Sequence, residues 1–146
     1  MKKVIVLNRK QAEVMTETDF GINRVIISIS TVGDNAPNFH ENHSIKQILC
    51  CFFNDLEAND KDKFPQTVFI NEDVARGIAN FAKEWWDKVD QIVVHCDGGV
   101  SRSAGVAAAI LKYFTGDDGE ICDNPNFYPN MLVYRMVLNA LMESEE

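Results

Sequence analysis

The sequence lacks long apolar runs, and proline and glycine are scarce. Four prolines and eight glycines among 146 residues form no Pro/Gly-rich linker, so we expect one domain over residues 1–146. The only apolar run near the N-terminus, residues 4–7, is too short for a signal peptide. No stretch reaches the roughly 20 apolar residues of a membrane span. We therefore expect a cytoplasmic protein without a membrane segment.

Cysteine and basic residues are also few. Four cysteines without a C-x-x-C pair indicate reduced thiols and argue against structural zinc. His40 and His43 have the spacing of helical metal ligands, but their stretch is predicted to be a loop, so no metal is expected. With 14 basic and 22 acidic residues, the net charge of −8 repels nucleic acid and anionic membranes. We expect neither as a partner, and we expect no cofactor.

Along the chain, the spacing of apolar residues alternates between that of a β-strand and that of an α-helix. Strands are predicted at residues 4–7, 25–30, 48–53 and 91–95, the first and third of them buried. A short helical turn or helix is predicted at residues 10–15, and helices at residues 71–88, 103–114 and after 130. Asn71 is a suitable helix cap, and Gly116 a suitable helix stop. This alternation predicts an α/β fold, with a mostly parallel central sheet flanked by helices.

The segment H-C-D-G-G-V-S-R-S, residues 95–103, lies between a predicted strand and a predicted buried helix. Backbone N–H groups at a helix start carry roughly +0.5 of charge and bind anions. Two adjacent glycines allow these groups to converge on one point. The segment therefore predicts a phosphate-binding loop, formed by the Arg102 side chain and the backbone amides of Asp97, Gly98, Gly99, Val100, Ser101 and Arg102.

Within this loop, Cys96 and Arg102 have complementary chemistry. A helix start and a nearby cation lower the pKa of a cysteine and make it a nucleophile. Arg102 can contact two phosphate oxygens with its planar fork, and Ser103 can donate a hydrogen bond to the cysteine sulfur. Taken singly, a cysteine at a strand end is more often a buried apolar residue, and Gly-Gly only a turn. The combination favours catalysis.

The loop resembles the signature of the cysteine-dependent protein tyrosine and dual-specificity phosphatases, namely His-Cys, five residues, Arg and Ser/Thr. Its Gly-x-Ser-Arg-Ser ending is most similar to that of the compact dual-specificity type and its bacterial relatives. Further similarity to small prokaryotic tyrosine phosphatases extends over residues 4–141. Gly98 departs from the common alanine, and the acidic Asp97 follows the nucleophile. The resemblance implies hydrolysis of phosphotyrosine-type esters, and also of phosphoserine/threonine, in a phosphorylated protein or a small phosphate ester, through a cysteinyl-phosphate intermediate.

The resemblance also implies an aspartate that acts as general acid. Asp55, Asp60 and Asp62 are the candidates. Asp55 directly follows the predicted strand 48–53 in F-N-D-L, which is similar to the corresponding segment of the bacterial relatives. A carboxylate at a strand end is better positioned than one in a charged loop, so we favour Asp55. The alternative is that Asp55 only caps a turn.

Other functions remain open at this point. A sulfurtransferase or an arsenate reductase also uses a cysteine in such a loop, and a catalytically silent phosphate-binding module would keep the anion site alone. Phosphoinositide phosphatases of this superfamily carry lysines inside the loop, where this sequence has Asp97 and Val100. We expect His95 to be structural, oriented away from the cysteine. The sequence leaves the oligomeric state open.

Overall fold

A sheet of four strands forms the centre of the fold, and all its pairings are parallel. The structure is a computed structural model that describes residues 2–18 and 21–143. The strands are β1 (Val4–Asn8), β2 (Arg24–Ser30), β3 (Ile45–Phe52) and β4 (Gln91–Cys96), in the order β1-β4-β2-β3. The helices are α1 (Arg9–Met15), α2 (Glu72–Trp85), α3 (Arg102–Thr115), α4 (Gly119–Cys122) and α5 (Met131–Glu143). The predicted α/β fold is confirmed, with β4 and β2 at the centre of the sheet.

The apolar core lies between the sheet and a layer of three helices, α2, α3 and α5. Side chains of Val25, Ile27, Ile92 and Val94 join this core together with residues of those helices. Because neighbouring side chains of a strand point to opposite faces, Ile26 and Val93 point away from it. Both are fully buried, and α1 contacts the sheet at β1 and β4.

Helix α3 is almost entirely buried, as predicted. Every residue from 102 to 111 is buried, because α3 contacts β1 and β4 on one side and α5 on another. Small residues permit this close packing. A Cβ atom added at Gly105 would lie 2.7 Å from the carbonyl oxygen of Asn130, so only glycine fits at this crossing. The helix ends at Gly116, whose φ of +78° is the left-handed C-terminal cap that the sequence predicted.

Strands β1 and β3 correct the prediction of buried strands, because both lie at edges of the sheet. Of the residues of β1 only Val4 is buried. Strand β3 pairs only with β2, and of its residues only Cys51 is buried. The neighbouring Phe52 is 42% exposed. A continuous apolar run does not reveal whether a strand is central or at an edge, because that depends on the order of strands.

Within the described residues, no helix is long and apolar enough to cross a membrane.

Candidate active site

The predicted phosphate-binding loop lies at the carboxyl end of the parallel sheet. Residues 96–102 connect β4 to α3. Since β4 lies between β1 and β2, the ends of these neighbouring strands surround the loop. Asn8, the last residue of β1, pairs with Cys96. Open parallel sheets bind ligands at their carboxyl ends, so the topology places the loop where a ligand site is expected.

The Cys96 side chain is 2% exposed and has hydrogen bonds to its sulfur. Its Sγ lies 3.3 Å from the Gly99 backbone nitrogen, which donates to it, and 3.1 Å from the Ser103 hydroxyl. Burial raises the pKa of the Cys96 thiol. The hydrogen bonds from Ser103 and Gly99 and the charge of Arg102 outweigh burial, so the pKa lies below its ordinary value. The site therefore favours a thiolate.

Of the two loop glycines, only Gly99 is required by the backbone. Its φ is +67°, and a Cβ atom there would lie 2.6 Å from the backbone nitrogen of Asn8 and 2.7 Å from the carbonyl carbon of Leu7. A Cβ atom at Gly98 would meet nothing within 4 Å. The loop thus turns at Gly99 against the end of β1, which orients the Gly99 N–H toward the sulfur.

Arg102 is 5% exposed and is held by three groups. Its Nη1 donates to the Phe53 carbonyl at 2.7 Å and to the Thr31 hydroxyl at 3.2 Å, and its Nη2 lies 3.1 Å from Asp97 Oδ2. Its buried Nε has no hydrogen-bond partner among the described residues. A buried donor on a cation usually has a partner, so this atom is available to a bound anion.

The side chain of Asp97 supports the arginine. Its Oδ2 also accepts a hydrogen bond from the Thr31 hydroxyl at 2.9 Å. Partial burial raises the pKa of Asp97, but the bonds from Thr31 and Arg102 and the charges of Arg102 and Arg9 hold it below its usual range. The carboxylate is therefore ionised at neutral pH and holds one end of the guanidinium in place.

Asp55 lies at the rim of the loop. Its Oδ1 accepts hydrogen bonds from the Ser101 hydroxyl at 2.7 Å and from Asn130 Nδ2 at 2.9 Å. Asp60 is used elsewhere, because its Oδ2 caps a short 3₁₀ turn at the backbone N–H of Glu57, at 2.9 Å. Asp62 is exposed in the turn that follows. Of the three candidate acids, Asp55 is the one with a hydrogen bond to the loop.

His95 has the structural environment that the sequence suggested. It is fully buried, its Nε2 lies 2.6 Å from the Ser28 hydroxyl on β2, and its Nδ1 lies 3.3 Å from the Cys96 carbonyl. His40 and His43 lie in the predicted loop before β3. Over residues 2–18 and 21–143, no three His, Cys, Asp or Glu side chains form a group that could hold a metal ion.

The sequence did not single out Thr31 or Phe53 for the site. Phe53 contributes only its backbone carbonyl, which no sequence pattern identifies. In the sequence, Pro129-Asn130 is most simply a helix start, although a loop there could border the active site. Asn130 does accept a hydrogen bond from the Val133 N–H at 3.1 Å. The same side chain also reaches Asp55. A groove of about 620 Å³ borders the loop at Ser101. The groove is lined by Glu57, Ser101, Cys122, Asp123, Asn124, Pro125, Phe127, Tyr128 and Pro129.

Comparison with solved structures agrees with the fold described above. No protein-family model matches the sequence, and a search of curated proteins found no match. Among solved structures, the human tyrosine phosphatase-like serine/threonine/tyrosine-interacting protein aligns with a TM-score of 0.63 and 18% identity, over 99% of this chain and 92% of that one. Human DUSP28 aligns with a TM-score of 0.61 and 14% identity, over 97% and 93%.

A third similar structure is PTPMT1 in complex with PI(5)P, with a TM-score of 0.57 and 14% identity, over 97% of this chain and 91% of that one. Identities this low establish the fold alone. Because the alignments extend over nearly the whole of each chain, this protein has the fold of the tyrosine and dual-specificity phosphatases.

Proposed function

We propose that the chain is a single catalytic domain that hydrolyses phosphomonoesters through a cysteinyl-phosphate intermediate. One observation carries the proposal. The buried Arg102 guanidinium leaves Nε without a partner among the described residues, in the same loop as a Cys96 whose pKa is lowered. An anion bound to this nitrogen and to the loop amides would lie next to the thiolate. Such an arrangement binds phosphate and attacks it.

In the first step, the Cys96 thiolate attacks phosphorus, and an S–P bond forms as the bond to the ester oxygen breaks. The leaving oxygen takes a proton from Asp55. In the second step, water attacks phosphorus, Asp55 takes a proton from that water, and the S–P bond breaks to release phosphate and thiolate. Ser103 donates a hydrogen bond to the sulfur as it leaves. Arg102 and the amides of residues 97–102 stabilise the charge on the phosphoryl oxygens throughout.

The charges around the loop favour a phosphorylated protein or a small phosphate ester as substrate. Phosphotyrosine-type esters fit best, and phosphoserine/threonine is a further candidate. PTPMT1 is recorded with PI(5)P, but here the carboxylate of Asp97 lies beside the guanidinium. A negative charge at that place repels a polyanionic lipid headgroup. The unpaired state of all four cysteines supports a reducing compartment such as the cytoplasm.

The test is hydrolysis of p-nitrophenyl phosphate by the wild-type protein and by Cys96→Ser. We expect turnover by the wild type and none by the variant, because a serine hydroxyl is a far poorer nucleophile at neutral pH. Vanadate binding should persist in Cys96→Ser, since Arg102 and the loop amides remain. Turnover by the purified variant within about tenfold of wild type would contradict the covalent mechanism.

The same experiment separates the competing functions. Thiosulfate and arsenate are offered in parallel, with cyanide and a thiol reductant as the respective co-substrates. Activity on either of these without phosphatase activity would indicate a sulfurtransferase or an arsenate reductase. Vanadate binding without turnover of any substrate would indicate a silent phosphate-binding module. The hydrogen bond between Asp55 and Ser101 favours the phosphatase, because it keeps a proton donor beside the loop.

A further inference from the structure

We propose that Ser101 and Asn130 are positioning residues that hold the Asp55 carboxylate by one oxygen and leave the other free to carry the transferred proton. This inference rests on the phosphatase function proposed above. Both donors bind the same oxygen, Oδ1, at 2.7 Å from Ser101 Oγ and 2.9 Å from Asn130 Nδ2. Among the described residues, Oδ2 accepts no hydrogen bond. The two oxygens of one carboxylate are thus in different environments.

Asn130 is rigid because each of its polar groups is engaged. It is 1% exposed. Its backbone N–H donates to the Ser101 carbonyl at 3.0 Å, and its Nδ2 donates also to the Leu56 carbonyl at 3.0 Å. Its Oδ1 accepts from the Val133 N–H at 3.1 Å. The Val133 N–H requires the amide oxygen of Asn130, and the Leu56 carbonyl and Asp55 require its NH₂ group. These partners fix which end of the amide faces Asp55, so the donor toward Asp55 cannot rotate away.

Three elements therefore meet at the Asp55 carboxylate. Asp55 follows β3, Ser101 belongs to the phosphate-binding loop, and Asn130 precedes α5. Asp55 is exposed, and an exposed aspartate without these bonds samples several rotamers. Held by Oδ1, it presents Oδ2 at the rim of the loop. When the ester bond breaks, the O–H bond at Oδ2 breaks too, its proton goes to the leaving oxygen, and the two donors stabilise the carboxylate that remains.

The test compares kcat on phenyl phosphate, which has a poor leaving group, with kcat on p-nitrophenyl phosphate, which needs less protonation. We expect Ser101→Ala and Asn130→Ser each to lower kcat on phenyl phosphate by about tenfold or more and to lower kcat on p-nitrophenyl phosphate much less. Serine at position 130 can still cap α5 but has no amide to donate. Inhibition by inorganic phosphate should change by less than about threefold, which separates lost positioning from lost phosphate binding.

Asn71→Ala is the matched control for a lost helix cap. Asn71 caps α2 by accepting from the Val74 N–H at 2.8 Å, and it has no hydrogen bond to the candidate site within the described residues. This variant should keep the wild-type ratio of the two kcat values even if it is less stable. A similar change of ratio in Asn71→Ala would show that destabilisation alone produces the effect and would overturn the inference.

Asp55→Asn distinguishes failure of the inference from failure of the proposed function. We expect this change to lower kcat on phenyl phosphate by about 10²–10⁴-fold, and Ser101→Ala added to it should cause no further change of ratio. If Asp55→Asn behaves in this way while Ser101→Ala and Asn130→Ser keep the wild-type ratio, the positioning role is wrong and the phosphatase stands. If Asp60→Asn or Asp62→Asn lowers kcat in this way instead, then both the positioning role and the assignment of Asp55 as general acid are wrong. Absence of hydrolysis of both esters by the wild type overturns both proposals.

Discussion

The thiol of Cys96 lies where burial alone would keep it protonated. Its 2% exposure disfavours the charged form, and Cys51 shows what burial does without compensation. Burial and the neighbouring Cys50 raise the pKa of Cys51 to about 12. At Cys96 the bonds from Ser103 and Gly99 reverse that direction. The two buried cysteines therefore differ in their hydrogen-bond donors and in the neighbouring groups, Arg102 at Cys96 and Cys50 at Cys51.

We predict that Ser103→Ala raises the pKa of Cys96. The variant loses a hydrogen bond that lowers this pKa, and hydrogen bonds to charged groups are stronger than those between neutral groups. The measurement is the pH dependence of alkylation by iodoacetate, with Cys96→Ser as the blank for the other thiols. The midpoint should move to higher pH in Ser103→Ala and stay near the wild-type value in Ser103→Thr, which keeps the hydroxyl. An unchanged midpoint in Ser103→Ala would contradict the assigned bond.

At the residue scale, the sequence predicted the loop and the residues within it that surround Cys96. Cys96, Gly99, Arg102 and Ser103 lie within eight positions of one another, so a strand, a turn and a helix start bring them together locally. The roles of these side chains remain predictions. What the sequence did not indicate is the asymmetry between the glycines, because the constraint on Gly99 comes from the backbone of β1, about ninety positions earlier.

At the scale of elements, the crossing of α3 and α5 sets the position of Asn130. Gly105 on α3 faces the Asn130 carbonyl, with no room for a Cβ atom. This contact holds the start of α5 against the phosphate-binding loop, where the Asn130 backbone also donates to the Ser101 carbonyl. The small residues of α3 thus serve the site as well as the core.

We predict opposite effects of two glycine-to-alanine changes in helices. Gly105→Ala should lower the free energy of unfolding by about 1–3 kcal/mol, because the added methyl overpacks the crossing. Gly77→Ala, in the middle of α2, should raise it by about 0.5–1 kcal/mol, since nothing lies within 4 Å of the added Cβ and alanine is the better helix former. Urea unfolding of both variants measures this. Stabilisation by Gly105→Ala would refute the close crossing.

The periodicity of apolar residues along the sequence identified the helices, because α2, α3 and α5 each cover a long segment of the chain. It did not show that β3 is an edge strand. The sheet order β1-β4-β2-β3 depends on how the helices connect parallel strands, and local periodicity is the same for either position.

At the scale of the whole molecule, stability should depend on pH through His95. Burial lowers the pKa of His95, and the bond to the Cys96 carbonyl, which opposes this, does not restore it. The folded protein thus keeps this imidazole neutral at a pH where the unfolded chain, with an ordinary pKa near 6.5, binds a proton. Stability rises with pH wherever the unfolded state binds more protons, so it decreases as the pH drops below about 6.5.

We predict that the free energy of unfolding of the wild type decreases between pH 7.5 and 5.5, with a slope that approaches about 1.4 kcal/mol per unit at its lower end. His95→Gln should show a smaller slope. We also expect this variant to be less stable at every pH, because the hydrogen bond to the Ser28 hydroxyl changes. His43→Gln, at an exposed position, should keep the wild-type slope. An equal slope in His95→Gln and wild type would show that another group titrates.

By itself, the sequence determined the alternation of strand and helix and the position of the phosphate-binding loop between β4 and α3. These depend on periodicity and on residues that are neighbours in the chain. Only the tertiary structure decided what surrounds the loop. Arg102 meets Thr31 across 71 positions and Phe53 across 49, and Asn130 meets Asp55 across 75. Hydrogen bonds over such separations leave no periodic signal, because they depend on the order in which the sheet and helices assemble.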